Sequence, residues 1–303
     1  MRRAGAVLLL AACASQPSTP APVSPAPAAP PAAGRQNPSP MVENTRVHER
    51  VAQRPLAGRR FAIEGVLDRP VEMLVTPAAD SSREIELLIH FHGAPWLAMQ
   101  AAEDSGRPIV VAAVNLGAGG MRYSAAFAEA RVFDELMRRA SEGTGSVKKI
   151  YLTGFSAGYG AIRSILAEHS DRVDGVLLLD GLHTGYLPEG KVMAEGAVLD
   201  ATRLLPFLRY AERASREDRR FVITHSEIFP GTFASTTETT DWLLGRLGVR
   251  RAPVMKWGPL GMQQLSEART GNLTVLGFAG NSAPDHIDHF HGIGTFLQLL
   301  VGE

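Results

Sequence analysis

The stretch of sequence that decides the fold is IYLTGFSAGYG, residues 150–160, in which a serine stands between two glycines. It overlaps the segment KKIYLTG, which is typical of a strand, and it continues into AGYGAIRSILAEH, which has a helical pattern. A sharp strand-to-helix turn lifts Ser156 above the edge of the sheet. Gly154 and Gly158 keep Cβ atoms out of this crowded turn. The stretch therefore predicts a serine that is presented as a nucleophile.

Working outward, further apolar runs alternate with helical patterns along the chain. We predict strands at 87–91, 109–115, 149–154, 175–180, 221–226 and 273–278, and one or two antiparallel strands within 59–76. We predict helices at 124–141, 157–169, 200–214, 236–247 and 286–300, with N-caps at Ser124, Asp200, Ser235 and Asp285 and a kink or break at Pro206. This alternation predicts one α/β domain, residues 46–303, in which a mostly parallel central sheet carries helices on both faces.

In this context the segment Gly154-Phe155-Ser156-Ala157-Gly158 matches the G-x-S-x-G motif, and the chain resembles the α/β-hydrolase superfamily over roughly residues 60–301. The resemblance implies that Ser156 is the catalytic nucleophile. The backbone N–H of Ala157 would donate to the oxyanion of the tetrahedral intermediate. In LLIHFHGAP, Ala94 would supply the second donor, while His92 shapes the loop and Gly93 lets a substrate approach the backbone.

A serine of this kind needs a histidine base and a buried carboxylate that holds the histidine tautomer. Chain order in the superfamily places the acid between the serine and the histidine. Asp180, which ends the run GVLLLD, is favoured over Glu227, which follows FVITHS. An aspartate at the end of so apolar a run is costly unless it has a partner.

The base is expected in PDHIDHFHGIG, after the last strand. We rank His286 first, because it falls in the first turn of the predicted helix beside the loop. His289 lies one turn later on the same face and is the second choice, and His291 is the third.

No metal or cofactor is predicted. His90-Phe91-His92 lacks the aspartate and histidine that a H-x-H-x-D-H metal motif requires, and the histidines at 286–289 have an adequate role without a metal. The glycine-rich NLGAGGMRY fails both nucleotide-binding patterns. Lys and Arg balance Asp and Glu at 31 each, so nothing indicates a nucleic-acid partner. The expected partner is a small-molecule acyl substrate, and the sequence leaves the oligomeric state open.

The N-terminus, MRRAGAVLLLAACAS, has the layout of an export signal. Leu10-Ala11-Ala12-Cys13 resembles a bacterial lipobox, which implies a signal peptide at 1–12 and lipid attachment to Cys13. A Pro/Ala-rich linker at 13–45 would then tether the domain to the cell envelope, with the lipid as the only membrane contact. Because Ala14 rather than aspartate follows the cysteine, the resemblance implies the outer membrane in a diderm organism.

These features predict a serine hydrolase that cleaves esters, or less readily amides, through an acyl-enzyme on Ser156. Two alternatives stay open at this point: an acyltransferase that uses the same triad, and a non-catalytic binding lipoprotein that keeps the fold. The segment from His183 to about residue 199 is a candidate cover for the site.

Overall fold

The computed structural model of the protein describes residues 51–302. The predicted signal peptide at 1–12, the lipidation site Cys13 and the predicted linker at 13–45 lie outside the described residues. Between residues 51 and 302, no helix is both long and apolar enough to cross a membrane.

A ten-stranded sheet forms the centre of the described part. Its strands, numbered along the chain, are β1 (Arg59–Ile63), β2 (Val71–Val75), β3 (Glu84–Phe91), β4 (Ile109–Val114), β5 (Ser146–Phe155), β6 (Gly175–Leu179), β9 (Arg220–His225), β10 (Ala252–Trp257), β11 (Gln263–Thr270) and β12 (Leu273–Phe278). A separate short hairpin pairs β7 (Tyr186–Leu187) with β8 (Val198–Leu199). The order in the large sheet is β1-β2-β4-β3-β5-β6-β9-β12-β11-β10. The six central strands are parallel, and an antiparallel pair extends each end.

The central strands are apolar throughout because each contributes to two cores. Leu87 and Ile89 of β3 belong to one buried cluster, whereas Leu88 between them belongs to the other. Successive strand residues point to opposite faces of a sheet, so continuous burial means that helices cover both faces. The carboxyl ends of the parallel strands consequently meet along one edge, where the loops are free to build a site.

Within residues 51–302, nine α-helices lie between and after the strands. They are α1 (Pro77–Asp80), α2 (Pro95–Asp104), α3 (Gly120–Ala126), α4 (Ala130–Ala140), α5 (Tyr159–His169), α6 (Leu205–Ser215), α7 (Thr236–Leu247), α8 (Ala283–His291) and α9 (Ile293–Val301) within the described residues. Side chains of α4, α5 and α6 pack into one core, and those of α2 and α9 pack into the other. The predicted fold class is therefore confirmed, as is the Ser235–Glu238 capping box of α7.

The predicted helix at 124–141 is wrong in its start and its continuity. Ser124 does not cap a helix; it lies inside α3, and its hydroxyl donates to the carbonyls of Gly120 and Gly160, each at 3.1 Å. Helix α3 approaches α5 so closely that a Cβ on Gly160 would lie 2.0 Å from the Gly120 carbonyl oxygen. This docking needs its own short helix, and α4 then starts afresh at Ala130.

Two further helix predictions need correction. Pro206 does not kink a helix, because α6 begins at Leu205 and places the proline in its first turn, where no N–H is required. Asp200 caps a short 3-10 turn at Ala201–Leu204 instead. The last predicted helix divides into α8 and α9 at Gly292, and the N-cap of α8 is Ser282 rather than Asp285.

Candidate active site

Ser156 occupies a strained turn between β5 and α5. A 3-10 turn, Ser156–Gly158, joins the two elements, and Ser156 has a positive φ of 45°. Non-glycine residues rarely adopt this conformation, and it persists only where the surroundings enforce it. The enforcement is steric: a Cβ on Gly158 would lie 2.2 Å from the carbonyl oxygen of Phe91, and one on Gly154 would lie 2.8 Å from Ile162. The two glycines of the motif therefore make the turn possible.

Asp180 stands at the equivalent place on the neighbouring strand. It directly follows β6, is buried, and also has a φ of 45°. Its N–H donates to the Thr224 carbonyl at 2.9 Å. The next residue, Gly181, lies against the nucleophile turn, where a Cβ would be 2.4 Å from the Ser156 carbonyl oxygen. The two strand ends are thus packed backbone to backbone.

The structure brings Asp180 and His286 into direct contact. His286 Nδ1 lies 2.7 Å from Asp180 Oδ2, with the aspartate buried and the histidine side chain 25% exposed. Since a carboxylate only accepts, the ring donates from Nδ1, and Nε2 of the neutral imidazole carries the lone pair. The His286 ring packs on Phe155, the residue before Ser156, with centroids 4.6 Å apart.

The electrostatic environment keeps the Asp180 carboxylate ionised. Burial, the largest influence, would raise the pKa of Asp180, but His289, His286 and a hydrogen bond from Ser226 lower it well below its usual range. The carboxylate accepts the N–H of Ser226 at 3.0 Å and its hydroxyl at 2.6 Å, as well as the His286 ring. Three donors therefore stabilise the negative charge.

The alternative residues occupy other surroundings. Glu227 is exposed, and its carboxylate accepts a 3.4 Å hydrogen bond from the N–H of Gly280. His289 is fully buried with its Nδ1 2.8 Å from the Thr224 hydroxyl, and burial lowers its pKa to about 4. His291 is half-buried at the last residue of α8.

The loop after β3 contains the predicted second oxyanion donor. His92 and Gly93 have positive φ values of 73° and 100°, and a Cβ on Gly93 would lie 2.4 Å from the Phe290 ring. Two hydrogen bonds hold the loop. The His92 N–H donates to the Val114 carbonyl at 2.9 Å, and Asn115 Nδ2 donates to the Gly93 carbonyl at 3.0 Å. Ala94 is the N-cap of α2. N–H groups at a helix start lack intrahelical acceptors and are available to an anion.

The two histidines of this loop region have structural partners. His90 is buried between the Thr153 hydroxyl and the His92 carbonyl, and burial lowers its pKa to about 3. His92 Nδ1 lies 3.1 Å from the Tyr123 hydroxyl. Among residues 51–302, no group of three or more His, Cys, Asp or Glu side chains is arranged to hold a metal ion.

Sequence reasoning missed Ser226, which donates twice to Asp180. The position of Ser226 in the sequence could have identified it, because Ser226 directly follows β9 and therefore lies at the edge of the sheet that also holds Asp180. It also missed His183, whose Nδ1 lies 2.9 Å from the Ala234 carbonyl and whose ring contacts Tyr159 and Phe233 edge-on.

Comparison with solved structures settles the architecture. The feruloyl esterase module from Clostridium thermocellum, solved in complex with sinapinate, aligns with a TM-score of 0.52 and 12% identity over 89% of this chain and 95% of that chain. The ferric enterobactin esterase from Salmonella typhimurium aligns with a TM-score of 0.52 and 11% identity over 82% of this chain. The protein has the α/β-hydrolase fold.

The similarity is one of fold and not of sequence. The chain spans 59% of the length of the enterobactin esterase and 58% of a thermostable esterase, which has a TM-score of 0.45 and 13% identity. No protein-family model matches the sequence, and no curated protein is significantly similar to it. The antiparallel hairpin β10–β11 extends the sheet beyond β12, the last of the parallel strands.

Proposed function

We propose that this protein hydrolyses carboxylic esters through an acyl-enzyme on Ser156, with His286 as base and Asp180 as acid. The observation that carries the proposal is the 2.7 Å contact between His286 Nδ1 and Asp180 Oδ2 at the strand edge where Ser156 is presented. This contact fixes the tautomer in which Nε2 accepts a proton. The feruloyl esterase and the ferric enterobactin esterase, which both align with a TM-score of 0.52, support this function.

The reaction proceeds in two halves. Ser156 Oγ attacks the ester carbonyl as its proton passes to His286 Nε2, and the N–H groups of Ala157 and Ala94 stabilise the oxyanion. The protonated His286 gives its proton to the departing alcohol, which leaves the acyl group on Ser156. Water then attacks the acyl-enzyme with His286 again as base, and the carboxylic acid is released. Asp180 stays ionised and balances the imidazolium in both halves.

The proposal predicts a preference for esters over amides. The substrates are p-nitrophenyl acyl esters of increasing chain length and the matched p-nitroanilides. We expect hydrolysis of at least one ester, with an initial burst of p-nitrophenol equal to the enzyme concentration. Release of p-nitroaniline should be slower or absent. A fluorophosphonate probe should block the burst. Product analysis in the presence of an added alcohol compares the free acid with the ester of that alcohol. If the new ester is the main product, the protein is an acyltransferase and the proposal of hydrolysis is wrong.

The proposal also includes a lipid anchor on Cys13, which rests on the sequence alone. In a diderm bacterial host supplied with alkynyl palmitate, we expect the parent chain to carry the label and to fractionate with membranes, and the Cys13→Ser variant to carry no label. Equal labelling of both chains would contradict the anchor. Ester hydrolysis by the two detergent-extracted chains serves as the control for folding.

A further inference from the structure

Ser226 connects the acid to a chain of hydrogen bonds that runs from the buried His225 to the partly exposed Arg251 and that the reaction itself does not use. Its N–H reaches Asp180 Oδ1 and its hydroxyl reaches Oδ2, so both carboxylate oxygens are held by one residue. Oδ2 is also the atom that accepts from His286. Because the two contacts on Oδ2 lie at 2.6 and 2.7 Å, the Ser226 hydroxyl shares the oxygen that orients the base.

The direction of each hydrogen bond behind Ser226 is fixed by chemistry. Arg251 donates from a guanidinium nitrogen to His225 Nε2 at 2.8 Å, and since arginine has no acceptor, Nε2 must be the unprotonated nitrogen. His225 therefore carries its proton on Nδ1 and donates to the Ser226 carbonyl at 2.9 Å. Burial, and next the charge of Arg251, lower the pKa of His225 to about 4, which keeps the ring neutral.

Arg251 ties this chain to the β10–β11 extension of the sheet. It directly precedes β10, and its Nε forms an ion pair with Asp241 of α7 at 2.6 Å. On β12, a Cβ on Gly277 would lie 2.8 Å from His225, so the strand leaves just enough room for the ring. Gly277 of β12 and Arg251 before β10 thus hold His225 in place.

We propose that Ser226 is a positioning residue for the hydrolytic reaction, that it sets the orientation of the Asp180 carboxylate towards His286, and that Arg251 and His225 hold it for this task. The inference rests on the proposed function, in which the Asp180–His286 pair is catalytic. Hydrogen bonds that are buried and fully satisfied orient their members more strictly than isolated contacts do. The β10–β11 hairpin, which contributes no reacting group, then acts on catalysis through Arg251.

The expected effect of Ser226→Ala is a loss of kcat of roughly 10- to 100-fold with little change in KM, since a hydrogen bond to a charged group is lost. The acidic limb of the pH–rate profile should move to higher pH, because Oδ2 without the hydroxyl stabilises the imidazolium more strongly. Four other histidines interact with the pair, His92, His183, His225 and His289, and burial lowers the pKa of each. Asp285 precedes His286 in α8, and its carboxylate binds the Ser282 hydroxyl. His225 and His289, whose pKa values are about 4, are not expected to contribute to that limb.

Thr237→Val is the matched control. The Thr237 hydroxyl donates to the Ser226 carbonyl at 3.0 Å and lies 3.1 Å from His225 Nδ1, so it touches the same hydrogen bonds but does not reach Asp180. We expect its kcat to stay within about twofold of the parent, Arg251→Met to lose less activity than Ser226→Ala, and Ser226→Thr, which keeps a hydroxyl, to recover part of the loss. If Ser226→Ala matches the parent both in kcat and in the position of the acidic limb, Ser226 is not a positioning residue.

A measurement without substrate separates this inference from the proposed function. The proton of the His286 Nδ1–H···Asp180 hydrogen bond should give a downfield ¹H resonance in the parent and in Thr237→Val, and the resonance should shift or broaden in Ser226→Ala. The ¹⁵N shifts of His225 should show protonation at Nδ1 alone. An unchanged resonance in a folded Ser226→Ala would overturn the positioning role even if ester hydrolysis is established, and a shifted one would support it even if no ester is cleaved.

Discussion

Ser156→Ala is expected to lower kcat for ester hydrolysis by about 10⁶-fold and to abolish labelling by a fluorophosphonate. The reason is that the nucleophile and base act as one unit: without Oγ, no covalent intermediate forms, and His286 has no proton to accept. The backbone donors of the oxyanion site remain, so a small rate above that of water is expected to persist. Burst kinetics and intact-mass spectrometry after labelling measure both effects.

The control for this variant is its stability. Alanine and serine both have a Cβ atom, so a φ of 45° strains them equally. The Tm of Ser156→Ala should therefore equal that of the parent. Ser156→Gly removes the strain and should be more stable by about 1 kcal/mol while remaining inactive. Turnover of acyl substrates by Ser156→Ala at the parent rate would eliminate the acyl-enzyme mechanism.

Backbone strain in the described residues concentrates where the site is. Five non-glycine residues have a positive φ, and three of them, His92, Ser156 and Asp180, directly follow β3, β5 and β6, which are neighbours in the sheet. Such conformations cost of order 1–3 kcal/mol each and persist where the surrounding structure enforces them. The three strained residues therefore lie at the ends of neighbouring strands, at the edge of the sheet where Asp180 contacts His286.

The sequence predicted the parts of this arrangement that depend on local pattern. Continuous apolar runs located the parallel strands, and the two glycines around Ser156 located the turn, because both signals lie within a few consecutive residues. The start of α3 could not be read in this way, since it depends on the close approach of Gly120 to Gly160. A helical sequence pattern of this length predicts that a helix is present more reliably than it predicts the residues at which the helix begins and ends.

The same distinction applies to the site residues. A carboxylate at the end of an apolar strand needs a partner, and this local feature of the sequence favours Asp180. The donor role of Ser226 depends on a contact across 46 residues, and serine after a strand is common in loops. Ranking His286 above His289 rested on its proximity to the loop; the structure adds the physical difference, which is a partly exposed ring for the one and complete burial for the other.

Asp180→Asn is the second variant with a large expected effect, a loss of kcat of about 10⁴-fold. The amide keeps the size of the side chain but carries no charge to balance the imidazolium. The carboxylate accepts hydrogen bonds at both of its oxygens, whereas the amide has only one oxygen. If that oxygen keeps the hydrogen bond from the Ser226 N–H, the NH₂ group faces His286 Nδ1 and favours the wrong histidine tautomer. Steady-state kinetics at saturating ester measure the loss, and fluorophosphonate labelling should slow in proportion.

Glu227→Gln is the matched control, as it makes the same chemical change at the alternative acid. Glu227 is exposed and bonds to the Gly280 backbone, so its kcat should remain within about twofold of the parent. The reverse pattern, an active Asp180→Asn and an inactive Glu227→Gln, would move the acid to the end of β9. In that case the hydrogen bonds from Ser226 to Asp180 could not orient the catalytic acid. The two variants therefore test both the identity of the acid and the proposed role of Ser226.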